Sequence, residues 1–506
     1  MKKFPIFNIL VLILSISVGV LFALKRLVAR DEGFYAYAAQ LVSDGSVPYR
    51  DFFFPQMPLT AYFYGFGGLL FGSSWDVYRI ISGLCFAGIL WLVYLILIRN
   101  VGRAGALVGF VLTATCHLSF AWFPVIQTYG LSTLLLLAGV YLLMERERDP
   151  RARVWFGTMG SGLLFSLAVQ TRLFFLPLCI IPILFLFGNG RDKKAPIRFF
   201  LGFIAGSLPL GALATLDVNS FSFSNLGYHL IRSDLTFQDS LNGKWRICEV
   251  LFSLGEPSQK FRGFQTPLLF GGMILGLFLL WRKLPMAGRL SGIIGLTLLV
   301  VSFVPTPTYV QYFVTVVPFA VIVTVMSIMI MLENSNRLRF FGIVSFLLFL
   351  GVTYERHLLS DIERYTVSGT GVIGIGNEQG AKEWNLTRVQ YISSLVEQFT
   401  LPEDSILALW PGYLVGIDRK SIPGGENHFG RGAYVETLST AEQVQYHLLS
   451  NVQLRAILSE GVVSVVIGHR VYLSPEIREV LRNYHYKLVA QVEEVEIFQR
   501  KKSADH

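Results

Sequence analysis

Repeated apolar runs, each about as long as a bilayer is thick, constrain this chain more than any other feature. A helix needs about 20 apolar residues to cross roughly 30 Å of hydrocarbon. Hydrophobic residues make up 53% of the 506 positions and charged residues only 15%, which is unusual for a soluble domain. The sequence therefore predicts a polytopic α-helical membrane protein with about eleven transmembrane helices. The predicted spans are 5–24, 78–98, 104–123, 126–144, 154–170, 172–188, 198–216, 265–281, 287–304, 310–332 and 338–353.

Basic residues recur in alternate segments between these runs. Lys2 and Lys3 precede the first run, and Arg99 and Arg103 follow the second. Segments rich in Lys and Arg stay in the cytoplasm, so the N-terminus is predicted to be cytoplasmic in the inner (plasma) membrane. The odd number of spans then places the C-terminus on the periplasmic or extracellular side. Topology accounts for the net charge of +9, and no nucleic-acid partner is predicted.

The outward side would hold three large pieces. A transmembrane domain over 1–353 contains a first outer loop at 25–77 and a second at 217–264, and the tail over 354–506 forms a separate domain. The first loop is rich in aromatic residues, and helical spacing over 34–45 favours short amphipathic helices lying along the membrane interface.

The tail has the pattern of a small α/β domain. Apolar spacing typical of helices alternates with short β-branched runs typical of strands. The predicted elements are a helix at 389–399, a strand at 405–409, a buried strand at 462–467, a helix at 475–484 and paired strands within 486–498.

Two adjacent carboxylates, Asp31 and Glu32, follow the first apolar run. Lys25, Arg26 and Arg30 lie beside them on the predicted outer side, where the charge rule disfavours basic residues. Simple ion pairing among these side chains is one explanation. The other is chemistry, because a carboxylate can take the proton of an attacking hydroxyl while cations hold a lipid-linked phosphate. General-base help from a carboxylate of ordinary pKa is modest unless burial raises that pKa.

The order of motifs in the first loop indicates a family. The Asp31-Glu32 pair at the end of the first helix is followed by Tyr35 and then by the segment 51–58, with Asp51 at its start and two prolines, which leads to aromatic residues at 62 and 64. With the multi-helix body and outward tail, this resembles the membrane-embedded glycosyltransferases of the C superfamily, especially protein O-mannosyltransferases and aminoarabinose lipid A transferases.

The resemblance implies roles for individual residues. Asp31 would be the catalytic base, Glu32 its neighbour, and Asp51 a second acidic position in the same loop. The basic residue that the family carries just before its paired prolines is absent, since 55–57 reads Pro-Gln-Met. The implied donor is a polyprenyl-phosphate sugar, with Lys25 and Arg26 among the candidate phosphate ligands.

Other polar positions between apolar runs are candidates for the donor site. Arg172 interrupts two runs at an outward turn; it either extends its charge to the membrane surface or grips a phosphate with its guanidinium fork. Gln311 and Tyr312 stand in an outward segment that resembles a family loop preceding a proline-containing helix, here with Pro318. They are candidates for binding sugar hydroxyls, although an aromatic interfacial belt also explains such a segment.

Acceptor contacts are predicted at two further places. His229 and Arg232 are three positions apart and would share one helix face, although a histidine in a loop is often structural. Glu426 and His428 stand in the glycine-rich stretch 423–430, which lacks the spacing of a phosphate-binding P-loop.

A divalent metal could use the carboxylates of Asp31, Glu32 and Asp51, but nothing in the sequence fixes a ligand geometry, so no metal site is predicted. The four cysteines have neither disulfide nor metal-ligand spacing, and no other cofactor is predicted.

The predicted function is inverting, carboxylate-assisted transfer of a sugar from a polyprenyl-phosphate donor to an envelope glycan, lipid or protein. Membrane lipids are the remaining partners. A transporter or flippase for lipid-linked glycans is the main alternative; it would place charges near the bilayer midplane and show internal repeats, and no repeat is visible. En bloc transfer of an oligosaccharide from a pyrophosphate lipid would use a similar outward site and stays open.

Overall fold

The chain forms two compact units. The computed structural model describes residues 6–148, 154–188, 192–233, 235–252, 254, 264–333, 335, 337–370, 372 and 382–500. Unit 1 comprises Met1–Leu24, Ser82–Gly211 and Leu235–Tyr365, and unit 2 comprises Lys25–Ile81, Ala212–Asp234 and Thr366–His506. Two of the basic residues used to predict topology, Lys2 and Lys3, lie outside the described residues.

Unit 1 is almost entirely helical. Its helices are Ile6–Lys25, Trp75–Thr115, His117–Trp122, Thr128–Arg148, Val154–Val169, Leu173–Cys179, Ile180–Gly188, Ala195–Ala214, Phe237–Phe252, Gln265–Leu280, Met286–Val301, Val310–Val316, Val317–Glu333, Arg337–Glu355, Leu358–Glu363 and Arg364–Ser368. A few of these cross a unit boundary by one or more residues.

The apolar helices confirm a multi-pass membrane protein. Among the described residues, five helical segments are long and apolar enough to cross a bilayer: Ile6–Lys25, Trp75–Thr115, Thr128–Glu145, Ala195–Ala214 and Val310–Glu333. Shorter apolar helices accompany them. The stretch Trp75–Thr115 consists of two helices that meet at a kink at Gly102 with φ 76°, a conformation that glycine adopts without a steric penalty. This kink separates the predicted spans 78–98 and 104–123.

Unit 2 combines helices with one small sheet. Its helices are Glu32–Ser43, Leu59–Phe71, Val218–Ser222, Phe223–Gly227, Tyr228–Ile231, Lys382–Trp384, Leu386–Gln398, Pro411–Leu414, His428–Arg431, Ala433–Thr437, Thr440–Gln445, Asn451–Glu460 and Pro475–Asn483.

The sheet has four strands: β1 (Ile406–Ala408), β2 (Val465–His469), β3 (Tyr486–Val492) and β4 (Val495–Arg500). The spatial order is β1-β2-β4-β3, with β1 parallel to β2 and the other neighbours antiparallel. β2 is buried along its whole length, as expected of a central strand that carries an unbroken apolar run. The C-terminal α/β domain predicted from the sequence is confirmed.

Helix Glu32–Ser43 differs from the surface helix predicted over 34–45. Its residues from Glu32 to Leu41 are all buried, whereas an amphipathic helix at an interface keeps one polar face exposed. The C-terminal segments of unit 2 supply the cover. Gln40 donates to the carbonyls of Leu414 and Ile417 at 3.3 and 3.1 Å.

Candidate active site

Glu32 belongs to a buried ion pair. Its Oε2 lies 2.8 Å from Nε of Arg79, and both side chains are fully buried. Its Oε1 accepts from Nη2 of Arg79 at 2.9 Å and from the Ala29 amide at 2.7 Å. Arg79 also donates to the carbonyls of Arg26 and Leu27 at 3.0 and 3.3 Å. Glu32 thus ties the turn after the first helix to a helix 47 positions away, which is a structural role.

Asp31, one position earlier, is placed differently. It precedes helix Glu32–Ser43 as the N-cap residue, yet its side chain makes no capping hydrogen bond. Aspartate at this position usually accepts from the first free amides of the helix. Within the described part of the chain its carboxylate has no hydrogen-bond or ion-pair partner, and the residue stays partly exposed. The carboxylate is therefore available to a ligand.

The surroundings of Asp31 make it a stronger base than an ordinary aspartate. Burial raises its pKa to about 6, although the nearby guanidinium groups of Arg232 and Arg30 pull in the opposite direction and Glu32 adds to the rise. At neutral pH the group is largely ionised, and its proton affinity is high enough for general-base catalysis.

The predicted cations near Asp31 divide by exposure. Lys25 is exposed at the end of the first helix, while Arg26 is fully buried and donates to the Leu27 carbonyl. Arg30, the third member of the predicted basic cluster, has its guanidinium carbon 6.0 Å from the Trp384 ring centroid. The accessible charge beside Asp31 thus comes from Arg30 rather than from Arg26.

Asp51 closes a turn. Its carboxylate forms two 2.8 Å hydrogen bonds with Arg50 and accepts from the Val47 amide at 2.7 Å. The Arg50 hydrogen bond lowers the pKa of Asp51, opposite to the change at Asp31. Both oxygens are engaged, so the geometry gives Asp51 a structural role.

His229 and Arg232 lie on a short helical segment of unit 2. Burial lowers the pKa of His229 to about 4, with Arg232 adding to the effect, so this histidine is neutral at physiological pH. The guanidinium of Arg232 lies 5.8 Å from the Tyr228 ring centroid and, through its charge, lowers the pKa of Asp31. Arg232 thus joins the electrostatic surroundings of the candidate base.

Glu426 and His428 are largely buried in the glycine-rich stretch. Burial raises the pKa of Glu426 to about 7 and lowers that of His428 to about 3. The His428 ring packs on Phe34 and Tyr472, with centroids 5.8 and 5.6 Å apart. Its Nδ1 has no hydrogen-bond partner among the described atoms.

Arg172 of unit 1 lies in an aromatic cluster. Its guanidinium carbon is 4.6 Å from the Tyr129 ring centroid, 5.3 Å from that of Tyr312 and 5.8 Å from that of Phe175. The residue is 8% exposed, and its Nη1 has no hydrogen-bond partner in the described structure. Ring faces attract a cation but leave the N–H donors of its edge unsatisfied, so this arginine is suited to bind an anion.

The predicted sugar-binding residues Gln311 and Tyr312 both belong to unit 1. Tyr312 contacts Arg172 through its ring. Gln311 is buried, and its Oε1 also lacks a partner within the described ranges. Lys244 stabilises the loop that precedes helix Val310–Val316. Its Nζ donates to the Pro305 carbonyl at 3.1 Å and to Thr306 Oγ1 at 3.0 Å. Sequence reasoning missed Lys244 because it lies about sixty positions from its partners.

The three carboxylates considered for a metal do not share an environment, because Glu32 is bound to Arg79 and Asp51 to Arg50. Among the described residues, no group of three or more His, Cys, Asp or Glu side chains is arranged to hold a metal ion.

The apolar spans and the small sheet domain form a fold that this chain shares with membrane-embedded glycosyltransferases of the C superfamily. Residues 55–210 match the family model for dolichyl-phosphate-mannose-protein mannosyltransferase. No curated protein sequence matches the chain. The resemblance to the C superfamily predicted from the sequence is confirmed.

Two solved proteins share this fold over nearly the whole chain. ArnT from Cupriavidus metallidurans bound to undecaprenyl phosphate superposes with a TM-score of 0.65 and 14% identity, covering 98% of each chain; in its apo state the values are 0.63, 15% and 97%. The Archaeoglobus fulgidus oligosaccharyltransferase tethered with an acceptor peptide gives 0.51 and 12%, covering 96% of this chain and 72% of that one.

Proposed function

We propose that this protein transfers a sugar from a polyprenyl-phosphate donor to a hydroxyl of an acceptor at the outer face of the cytoplasmic membrane. The observation that carries the proposal is Asp31: an accessible carboxylate without a partner in the described chain, with a raised pKa, in a fold like that of ArnT. The similar protein bound to undecaprenyl phosphate supports a lipid-phosphate donor.

In the proposed reaction the acceptor oxygen attacks the anomeric carbon of the donor. The bond from that carbon to the phosphate oxygen breaks, polyprenyl phosphate leaves with the electron pair, and Asp31 takes the acceptor proton. Attack from the face opposite the leaving group inverts the anomeric configuration. Holding the developing phosphate charge is expected to lower the barrier more than the proton transfer does.

The cations proposed for this task beside Asp31 are Arg30 and Arg232 of unit 2. In unit 1, Arg172 is proposed as a separate anion-binding residue. Lys25 is an exposed auxiliary that could attract anionic lipid. Gln311 and Tyr312 are proposed to bind the sugar. The N-terminus is proposed to be cytoplasmic, and the loop that carries Asp31 is therefore proposed to face the outer side.

The test is transfer of radiolabelled sugar from a panel of polyprenyl-phosphate donors by the full chain in nanodiscs. Asp31→Asn should reduce turnover by about 10²- to 10⁴-fold, the usual contribution of a general base. Asp51→Asn is the matched control, because the same chemical change falls on a carboxylate that closes a turn, and it should retain activity.

Retained turnover in Asp31→Asn would reject the assignment of the base. Movement of donor between leaflets without any transfer would favour the flippase alternative. Transfer that occurs only from pyrophosphate-linked oligosaccharides would favour en bloc ligation.

A further inference from the structure

Unit 2 contains an open cavity of about 510 Å³ in its C-terminal part. Apolar side chains such as Leu454 and Leu458 form part of its wall. The polar groups that line it are His428, Arg431, Asn451, Arg455, Tyr472, Ser474 and Glu476. None of these except His428 has a role in the proposed transfer or was singled out from the sequence.

Arg431 is the unusual member of this lining. Its Nη2 donates to the Leu409 carbonyl, whereas its Nε is buried with no hydrogen-bond partner among the described residues. No carboxylate in the described chain forms an ion pair with it. Burial lowers its pKa only to about 10, so it stays charged at neutral pH. The residue as a whole is half-buried, and a half-buried cation without a counter-ion destabilises the fold, so an anionic ligand would offset that destabilisation.

The rest of the lining does not supply the missing negative charge. Glu476 is fully exposed, and its carboxylate already accepts hydrogen bonds from Ser474 and from its own amide. Its electrostatic partner is Arg455. Since His428 is neutral, the lining keeps a net positive charge that centres on Arg431.

Two lining residues connect the cavity with the helix that follows the candidate base. Tyr472 and His428 both line the cavity, and their ring centroids are 5.6 Å apart. The His428 ring also packs 5.8 Å from Phe34, which belongs to the helix whose N-cap is Asp31. The cavity lining therefore contacts the helix that begins at the candidate base.

We propose that this cavity binds an anionic substituent, a phosphate or a carboxylate, of the acceptor saccharide, and that Arg431 is its principal ligand. Arg455 is a weaker auxiliary ligand because Glu476 partly compensates its charge. That the bound anion belongs to the acceptor rests on the proposed function, whereas anion binding by the cavity can be tested without any turnover.

The experiment measures binding without transfer. Thermal unfolding of the purified full chain in detergent is followed with glucose 6-phosphate, glucuronate or neutral glucose. Both anionic sugars should raise the midpoint by about 2 °C near saturation, and glucose should not. Arg431→Gln should abolish the rise, whereas Arg482→Gln, an exposed arginine outside the cavity lining, should leave it intact.

Arg455→Gln should weaken the response to the anionic sugars without abolishing it; because Arg455 is exposed, this variant remains informative should Arg431→Gln fold poorly. Equal stabilisation by neutral glucose, no stabilisation by either anion, or an unchanged response in both cavity variants would overturn the proposal.

Farnesyl phosphate distinguishes the two possible sources of a bound phosphate, the lipid donor and the acceptor saccharide. If it stabilises the protein through Arg431 as the sugar phosphate does, the cavity holds the lipid donor and the acceptor assignment is overturned. In the transfer assay, Arg431→Gln should raise the KM for an anionic acceptor at least about tenfold, the loss of a charge-assisted hydrogen bond, with the donor KM unchanged. Arginine-dependent sugar binding without any transfer would reject the proposed function and keep the anion site.

Discussion

The turn around Glu32 and the aromatic cluster around Arg172 treat a buried arginine in opposite ways. In unit 2, Arg79 is matched by a carboxylate and two carbonyls, and the pair is fully buried. In unit 1, Arg172 is faced by aromatic rings and retains an N–H without a described partner. An arginine matched by a carboxylate fixes the fold, whereas Arg172, which has no carboxylate partner among the described residues, is suited to bind an anionic ligand. Asp31 and Glu32 show the same contrast between adjacent residues.

The largest effect is expected from breaking the Arg79–Glu32 pair. Arg79→Met leaves Glu32 buried without its partner and should destabilise the protein by about 3–5 kcal/mol. Unfolding of the purified protein, followed by denaturant titration, measures this loss. The double variant Arg79→Met/Glu32→Met should recover much of the loss. Arg482→Met, at an exposed arginine, is the control. If Arg79→Met lowers the free energy of unfolding as little as Arg482→Met does, the Arg79–Glu32 pair has no structural role.

Removal of Arg172 should affect activity instead. Arg172→Ala is expected to lower kcat/KM for the donor by about 10²-fold through loss of charge-assisted phosphate contacts. Arg172→Lys should recover little, since lysine lacks the planar fork.

Arg289→Ala is the matched control for Arg172. Arg289 is also an arginine of unit 1 placed against an aromatic ring, 5.9 Å from the Trp281 centroid, but no ligand role is proposed for it. Steady-state kinetics with varied donor distinguish the two; equal losses in both variants would remove the special role of Arg172.

The pH profile tests the contrast between adjacent carboxylates. Because the pKa of Asp31 is raised to about 6, log kcat/KM should fall by one unit per pH unit below that value, as the base becomes protonated. The phosphodiester of the donor stays ionised throughout this range. A profile that remains flat down to pH 4 would show that a group of ordinary pKa is the base.

The smallest effect concerns stability. A carboxyl with a raised pKa in the folded state costs stability once the pH exceeds its unfolded pKa, and the cost is complete above the folded pKa. Asp31→Asn should therefore raise the melting temperature by about 1–3 °C at pH 7.5 and by almost nothing at pH 4. Differential scanning fluorimetry at both pH values measures this; a lower midpoint at pH 7.5 would show that Asp31 stabilises the fold.

The sequence was sufficient for the elements with strong local patterns. The tail strands at 406–408 and 465–469 and the helix at 475–483 were predicted within a few residues, because β-branched runs and apolar spacing are local signals. Asp31 was also found locally, as a charge beside an apolar run.

Pairing between distant residues was beyond reach. Arg79 stands at the edge of an apolar run, and nothing local shows that it meets Glu32. Arg431 follows a glycine-rich stretch that was noticed, but its lack of a counter-ion depends on which residues the fold gathers around it. The helix over 32–43 was placed correctly, while its burial on all sides depends on tail residues more than 370 positions away.

One indole determines where the candidate base can be. Trp410 donates to the Arg30 carbonyl at 2.6 Å, and a methyl group added at Gly33 would come within 2.3 Å of the same ring. Trp410 of the tail therefore holds the Asp31 turn on both sides, by a hydrogen bond to Arg30 and by packing against Gly33. A chimaera between proteins of this fold should therefore exchange segment 25–81 together with the tail, because a foreign tail would leave the Asp31 turn without the tryptophan that fits it.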